Sequence, residues 1–92
     1  MNLGTAYQPN PQHRPPERTS REIASDVLRA RLSEEGLTLR SHLCDAIAGN
    51  LSCLRPISDE SVRLQLWAYG VDTLNLEIPA GLADELDGVF DS

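Results

Sequence analysis

Proline placement limits this chain before any other signal is weighed. Six prolines are spread over 92 residues, four of them within the first 16, with Pro56 and Pro79 cutting the remainder. A proline lacks the backbone N–H and its ring clashes with the preceding turn, so no regular helix runs through these points. The chain must therefore be built from short elements.

Residues 1 to 18, MNLGTAYQPNPQHRPPER, hold almost no large apolar side chains. Burial there cannot offset the entropy of ordering, which predicts a disordered, partly polyproline II tail. Its PNPQHRPP run has the PxxP shape of ligands for proline-binding domains. The folded part is expected to be a single domain over residues 19 to 92.

That domain opens with a clear helix start. Thr19 can cap and Glu22, three residues later, can complete a capping box. Ile23, Val27, Leu28 and Leu32 then share one stripe, and Gly36 suits the position just past a helix end, so the first helix is expected over 20 to 35. Thr38 can cap a second helix, from 39 to about 52, along Leu39, Leu43, Ile47, Leu51 and Leu54. Two helices with so short a link should pack antiparallel.

The stretch after Pro56 permits two readings. As a helix, Ser58 would cap and Asp59 and Glu60 would fill the first turn, with Val62, Leu66 and Tyr69 on one face. Leu64 would then fall about 200° from both Val62 and Leu66. As a strand, Val62, Leu64, Leu66 and Ala68 alternate with Arg63, Gln65, Trp67 and Tyr69, and Leu74, Leu76 and Ile78 alternate likewise with Thr73, Asn75 and Glu77.

A three-residue loop over Tyr69, Gly70 and Val71 keeps both apolar sets on the same side. It also sets Arg63 opposite Glu77. The hairpin is the preferred reading, and Leu82, Leu86, Val89 and Phe90 add a short final helix. The expected fold class is α+β, in the order ααββα.

Only 4% of the residues are aromatic and 40% are hydrophobic, so the core must come from Leu, Ile, Val and Ala. One modest core leaves no room for a large enclosed active site. No apolar run approaches the roughly 18 residues that span a bilayer, and no basic-then-apolar leader pattern stands at the start, so a cytoplasmic protein is expected. Cys44 and Cys53 are expected to be reduced there, with Cys44 packing between helices.

Charge is divided between the halves. Residues 1 to 56 carry seven arginines and six acids; residues 57 to 92 carry Arg63 against Asp59, Glu60, Asp72, Glu77, Asp84, Glu85, Asp87 and Asp91, a net −7. Such a surface repels nucleic acid and anionic membrane and attracts a basic protein. All eight basic residues are arginine. GC-rich codon usage produces that pattern, and so does selection for bidentate contacts.

Catalytic chemistry is hard to place. Two Cys and two His without CxxC spacing do not make a zinc site. His42 and Asp45 can pair on the second helix but have no nucleophile beside them. The glycines are scattered, and Glu34-Glu35 and Asp84-Glu85 diverge around their helices. A non-enzymatic protein without metal or cofactor is expected.

Three short resemblances bear on function. Gly70-Val71-Asp72-Thr73-Leu74 resembles the Gly-x-Asp-Ser-Leu attachment motif of acyl carrier proteins, in which the serine carries phosphopantetheine; here Thr73 takes its place. Leu74-Asn75-Leu76-Glu77-Ile78-Pro79 with Leu82 and Leu86 is similar to the strand-to-helix opening of ribbon-helix-helix repressors. That likeness implies a strand reading DNA with basic or amide side chains, and Glu77 departs from it. Gly36-Leu37-Thr38-Leu39 with Leu43 and Gly49 resembles the second helix of helix-turn-helix repressors, though no basic recognition helix follows.

The function expected from the residues is a protein-binding module, such as an inhibitor carried by a phage or other mobile element, an antitoxin or an assembly adaptor. A small DNA-binding regulator is the alternative. The nominated surface is the outer hairpin face, Arg63, Gln65, Trp67, Tyr69, Thr73 and Glu77, with Asp84, Glu85 and Asp87 of the final helix. A basic protein is the expected partner, with self-association into a homodimer also open.

Overall fold

A computed structural model describes residues 18–91, and among these it holds four helices and no strand. They are α1 (Ser20–Glu34), α2 (Ser41–Leu51), α3 (Asp59–Ala68) and α4 (Leu82–Asp91). The α+β expectation with its β-hairpin is therefore overturned. The Pro-rich segment lies outside the described residues, except that Arg18 is placed and pairs with Asp26 on α1.

α1 forms where the sequence signals it. Thr19 Oγ1 accepts from the Glu22 N–H at 3.1 Å, and Glu22 Oε1 accepts from the Thr19 N–H at 2.9 Å. At the other end Gly36 adopts φ +86°. This lets the Leu37 N–H reach the Leu32 carbonyl and the Gly36 N–H reach that of Ser33, each at 3.0 Å. This is the Schellman closure.

α2 begins two residues later than expected. Arg40 is the cap residue and makes no side-chain capping bond, so Thr38 does not take that role. Instead Arg29 Nη1 donates to Ser41 Oγ at 2.9 Å and ties the first turn of α2 to α1. Leu39 is buried although it precedes the helix, whereas Leu54 stays exposed.

The hairpin fails because α3 has two strong ends. Ser58 Oγ accepts from the Ser61 N–H at 3.2 Å, the Ser58 N–H donates back to Ser61 Oγ, and Asp59 and Glu60 sit in the first turn, where the helix dipole favours acids. Gly70, with φ +89°, repeats the Schellman closure: the Val71 N–H bonds the Leu66 carbonyl at 3.0 Å and the Gly70 N–H that of Trp67 at 2.9 Å. The glycine read as a hairpin tip is a helix stop.

Val62 and Leu66 are shared by both patterns, being two steps apart in a strand and one turn apart in a helix. Leu64, which argued against the helix, is left 54% exposed on its outer side.

The core is aliphatic. Leu28, Leu32, Ile47, Leu51, Val62, Leu66, Leu82 and Leu86 are fully buried with Cys44. α1 packs on both α2 and α4, while α3 closes against α2 and more lightly against α4. Between α3 and α4 the chain runs without regular structure, and Leu76 and Ile78 turn in against the core. No helix among the described residues is long and apolar enough to cross a membrane.

The two leucines of α3 separate the helix from the strand reading in solution. Leu66→Ala is expected to cost about 2–5 kcal/mol in denaturant unfolding, as large-to-small core changes do. Leu64→Ala should stay within about 0.5 kcal/mol, as at other surface positions; a hairpin would make the two losses equal. Gly70→Ala should cost about 1–2 kcal/mol from backbone strain alone, since a Cβ there meets nothing within 4 Å.

Candidate functional site

On a helix the residues of 63 to 69 fan out around the axis at about 100° each instead of sharing one face. The nominated surface is split three ways. Gln65 and Tyr69 turn toward α2, where Asn50 Nδ2 donates to Gln65 Oε1 at 2.8 Å and to the Tyr69 hydroxyl at 3.2 Å. They fasten α3 to α2 and are not a free recognition surface.

Arg63 turns the other way. Its Nη1 donates to the carbonyls of Thr73 at 2.6 Å and Leu76 at 2.9 Å, holding the α3–α4 connection against α3. Arg63 does not pair with Glu77 as the hairpin register required. Both line an open groove of about 530 Å³ together with Asp59, Leu74, Asn75, Leu76 and Ile78. Thr73 sits half-buried just before a turn at 74–75, where Asp72 Oδ1 accepts from the Leu74 N–H at 3.0 Å. In the acyl-carrier-like stretch, Thr73 therefore precedes a turn rather than a helix.

Trp67 alone of the nominated α3 residues points outward, 67% exposed. Leu64 lies three residues before it on the same side, and Leu74, on the lip of the groove, is 85% exposed. Sequence reasoning missed Leu64, Leu74, Asp59 and Glu60 as members of this surface. The cap at Ser58 with its two following acids was the signal that placed them.

The acids of α4 do different jobs. Asp84 is exposed and lines a second recess with Ile57, Ser58, Asp59, Gly81 and Ala83. Glu85 is paired with Arg31, whose Nη1 lies 2.5 Å from its Oε1 while Nη2 donates to the Ala80 carbonyl at 2.9 Å. Asp87 takes Arg55 Nε at 2.9 Å and the Ile57 N–H at 3.3 Å. Arg55 also reaches the Asp87 and Phe90 carbonyls, at 3.2 and 3.4 Å, and so covers orphan acceptors near the end of α4.

Two of the three nominated α4 acids are thus engaged within the chain. Among the described residues no arginine pairs with Asp59, Glu60, Asp72, Glu77 or Asp84. These five are the acids of residues 57 to 91 left without an arginine partner, and the first four belong to α3 and its following loop.

Chemistry beyond binding finds little footing. No three His, Cys, Asp or Glu side chains among the described residues stand close enough to hold a metal ion. His42 and Asp45 are both exposed, with no hydrogen bond between them. Cys44 is a buried free thiol whose pKa is raised by burial, and Cys53 is an exposed free thiol. No described protein family, curated protein or solved structure matches this chain.

The Arg55–Asp87 contact makes one part of the stability pH-dependent. The arginine hydrogen bond, helped by the Ile57 N–H, holds the Asp87 carboxyl below its ordinary value of 3.8. A folded-state value below the unfolded one gives a contribution that is present above about pH 4 and lost as pH falls through the folded value. Asp87→Asn should therefore lower the melting temperature at pH 7, and the gap from wild type should close below that range; a gap independent of pH would refute the assignment.

Proposed function

We propose that the protein is a non-enzymatic binding module for a protein with a basic surface, and that it docks through the outer face of α3. The observation that carries this reading is Trp67, exposed with Leu64 and Leu74 on a helix and following loop whose acids Asp59, Glu60, Asp72 and Glu77 pair with no arginine among the described residues. An indole left in water forgoes a large apolar burial, and Trp is among the residue types that most often dominate binding energy. The net −7 of residues 57 to 92 supports steering of a basic partner toward that face, an effect that salt screens. Exposed Cys53, a free thiol, fits an encounter in the reducing cytoplasm.

The DNA-binding alternative loses its support on the same face. Arg63 is the only base on α3; its guanidinium is committed to two carbonyls, and Asp59 and Glu60 lead the helix. An acidic helix of this kind repels the phosphate backbone.

A photo-crosslinking residue at exposed Ala68, which leaves Trp67 intact, with the same group at exposed His42 as control, tests the reading in cells. A distinct adduct at 68 and none at 42 is expected. Trp67→Ala should weaken binding of the captured partner by about thirtyfold, a loss of about 2 kcal/mol typical of an anchor, with the melting temperature held near wild type. Undiminished binding by that variant rules out the proposed face.

A further inference from the structure

We infer that the occupant of this face is a short amphipathic helix with arginine or lysine flanking its apolar stripe, an inference that rests on the binding-module reading above. The shape of the surface supports a helix. Glu60, Leu64, Trp67 and Ala68, all exposed, fall at i, i+4, i+7 and i+8 along α3. Glu60, Leu64 and Ala68 form an i±4 ridge of about 12 Å at the helical rise of 1.5 Å per residue, and Trp67 stands beside it, one i+3 step from Leu64. A ridge of this spacing seats into the grooves of a second helix.

Size excludes a self-sufficient apolar contact. An indole contributes about 150–250 Å² when fully exposed, so Trp67, Leu64 and Leu74 together offer an apolar patch on the order of 300 Å². A stable complex buries about 800 Å² on each partner. The occupant must therefore also cover the polar rim, and that rim is acidic. Glu60 stands at one end of the ridge and Asp72 follows the other, while Asp59 and Glu77 line the groove that runs beside it under Leu74.

Arg63 faces the same groove but is turned onto the Thr73 and Leu76 carbonyls, leaving the two carboxylates available to cations from outside. Charge complementarity thus selects basic side chains on the flanks of the incoming stripe.

Other occupants fit less well. A second copy of the chain would set acidic rim against acidic rim. An extended peptide adds to the edge of an existing sheet; no strand exists among the described residues, and two carbonyls of the connecting segment are already taken by Arg63.

Trp67, the chain's only tryptophan, reports directly on this contact. The full chain is titrated with a 14-residue helical peptide carrying a leucine stripe flanked by arginines. Controls are a shuffled peptide of the same composition and an analogue with glutamate for arginine. A saturable blue shift is expected with the first peptide, with affinity at least about tenfold weaker for each control, a difference of about 1.4 kcal/mol.

Joint Glu60→Lys and Glu77→Lys changes should weaken the helical peptide by a similar factor, while Asp84→Lys, on α4, should not. Equal binding of the shuffled peptide, equal loss with Asp84→Lys, or a concentration-dependent dimer that buries Trp67 in sedimentation would each overturn the inference. If the crosslinked segment of the cellular partner is extended or acidic, the helix inference falls and the binding-module reading stands. If Trp67→Ala leaves that capture unchanged, both fall.

Discussion

Ser58 and Gly70 hold α3 between two closed ends, and the orientation of every residue between them follows. The reciprocal Ser58–Ser61 cap starts the helix at Asp59, and the Gly70 turn brings the Val71 and Gly70 N–H groups onto the carbonyls of Leu66 and Trp67. With the ends fixed, burying Val62 and Leu66 leaves a single rotation about the axis. That rotation sends Gln65 and Tyr69 to Asn50 on α2, Arg63 to the connecting segment and Leu64 with Trp67 to solvent. The candidate binding face is a consequence of helix capping rather than of sheet geometry.

The chain between α3 and α4 has no regular structure, yet arginines fasten it at both ends. Arg63 takes two of its carbonyls near Thr73, and Arg31 reaches from α1 to the Ala80 carbonyl and to Glu85 beyond it. Arg55 performs the same service for the last turn of α4. Each guanidinium serves two or more acceptors at once, which a lysine's point charge on a flexible stem does less well. All eight basic residues are arginine, and at positions 31, 55 and 63 the fork geometry gives that composition a structural use.

Three of the four helices were legible in the sequence because each carried an apolar stripe agreeing with its boundary signals. Thr19, Glu22 and Gly36 marked α1 to within a residue, and Leu82, Leu86, Val89 and Phe90 marked α4. α2 was found, though its start was displaced because Arg29, from another helix, engages Ser41. α3 was misread for a definite reason. Alternating residues and a helical face share the pair Val62 and Leu66, and the exposed Leu64 counted for the strand although a surface leucine is ordinary. Trp67 was nominated correctly as outward-facing, but its companions were not, since a strand and a helix give it different neighbours.

The two thiols divide the molecule in another respect. Cys53 stands at the surface just past α2, whereas Cys44 lies fully enclosed with Ile47 and Leu51 beneath α1. An alkylating reagent reaches the first at once and the second only when α1 and α2 part, so the slow reaction counts excursions of the whole packed unit. The protein thus carries a built-in gauge of its own opening, with an internal standard nine residues away.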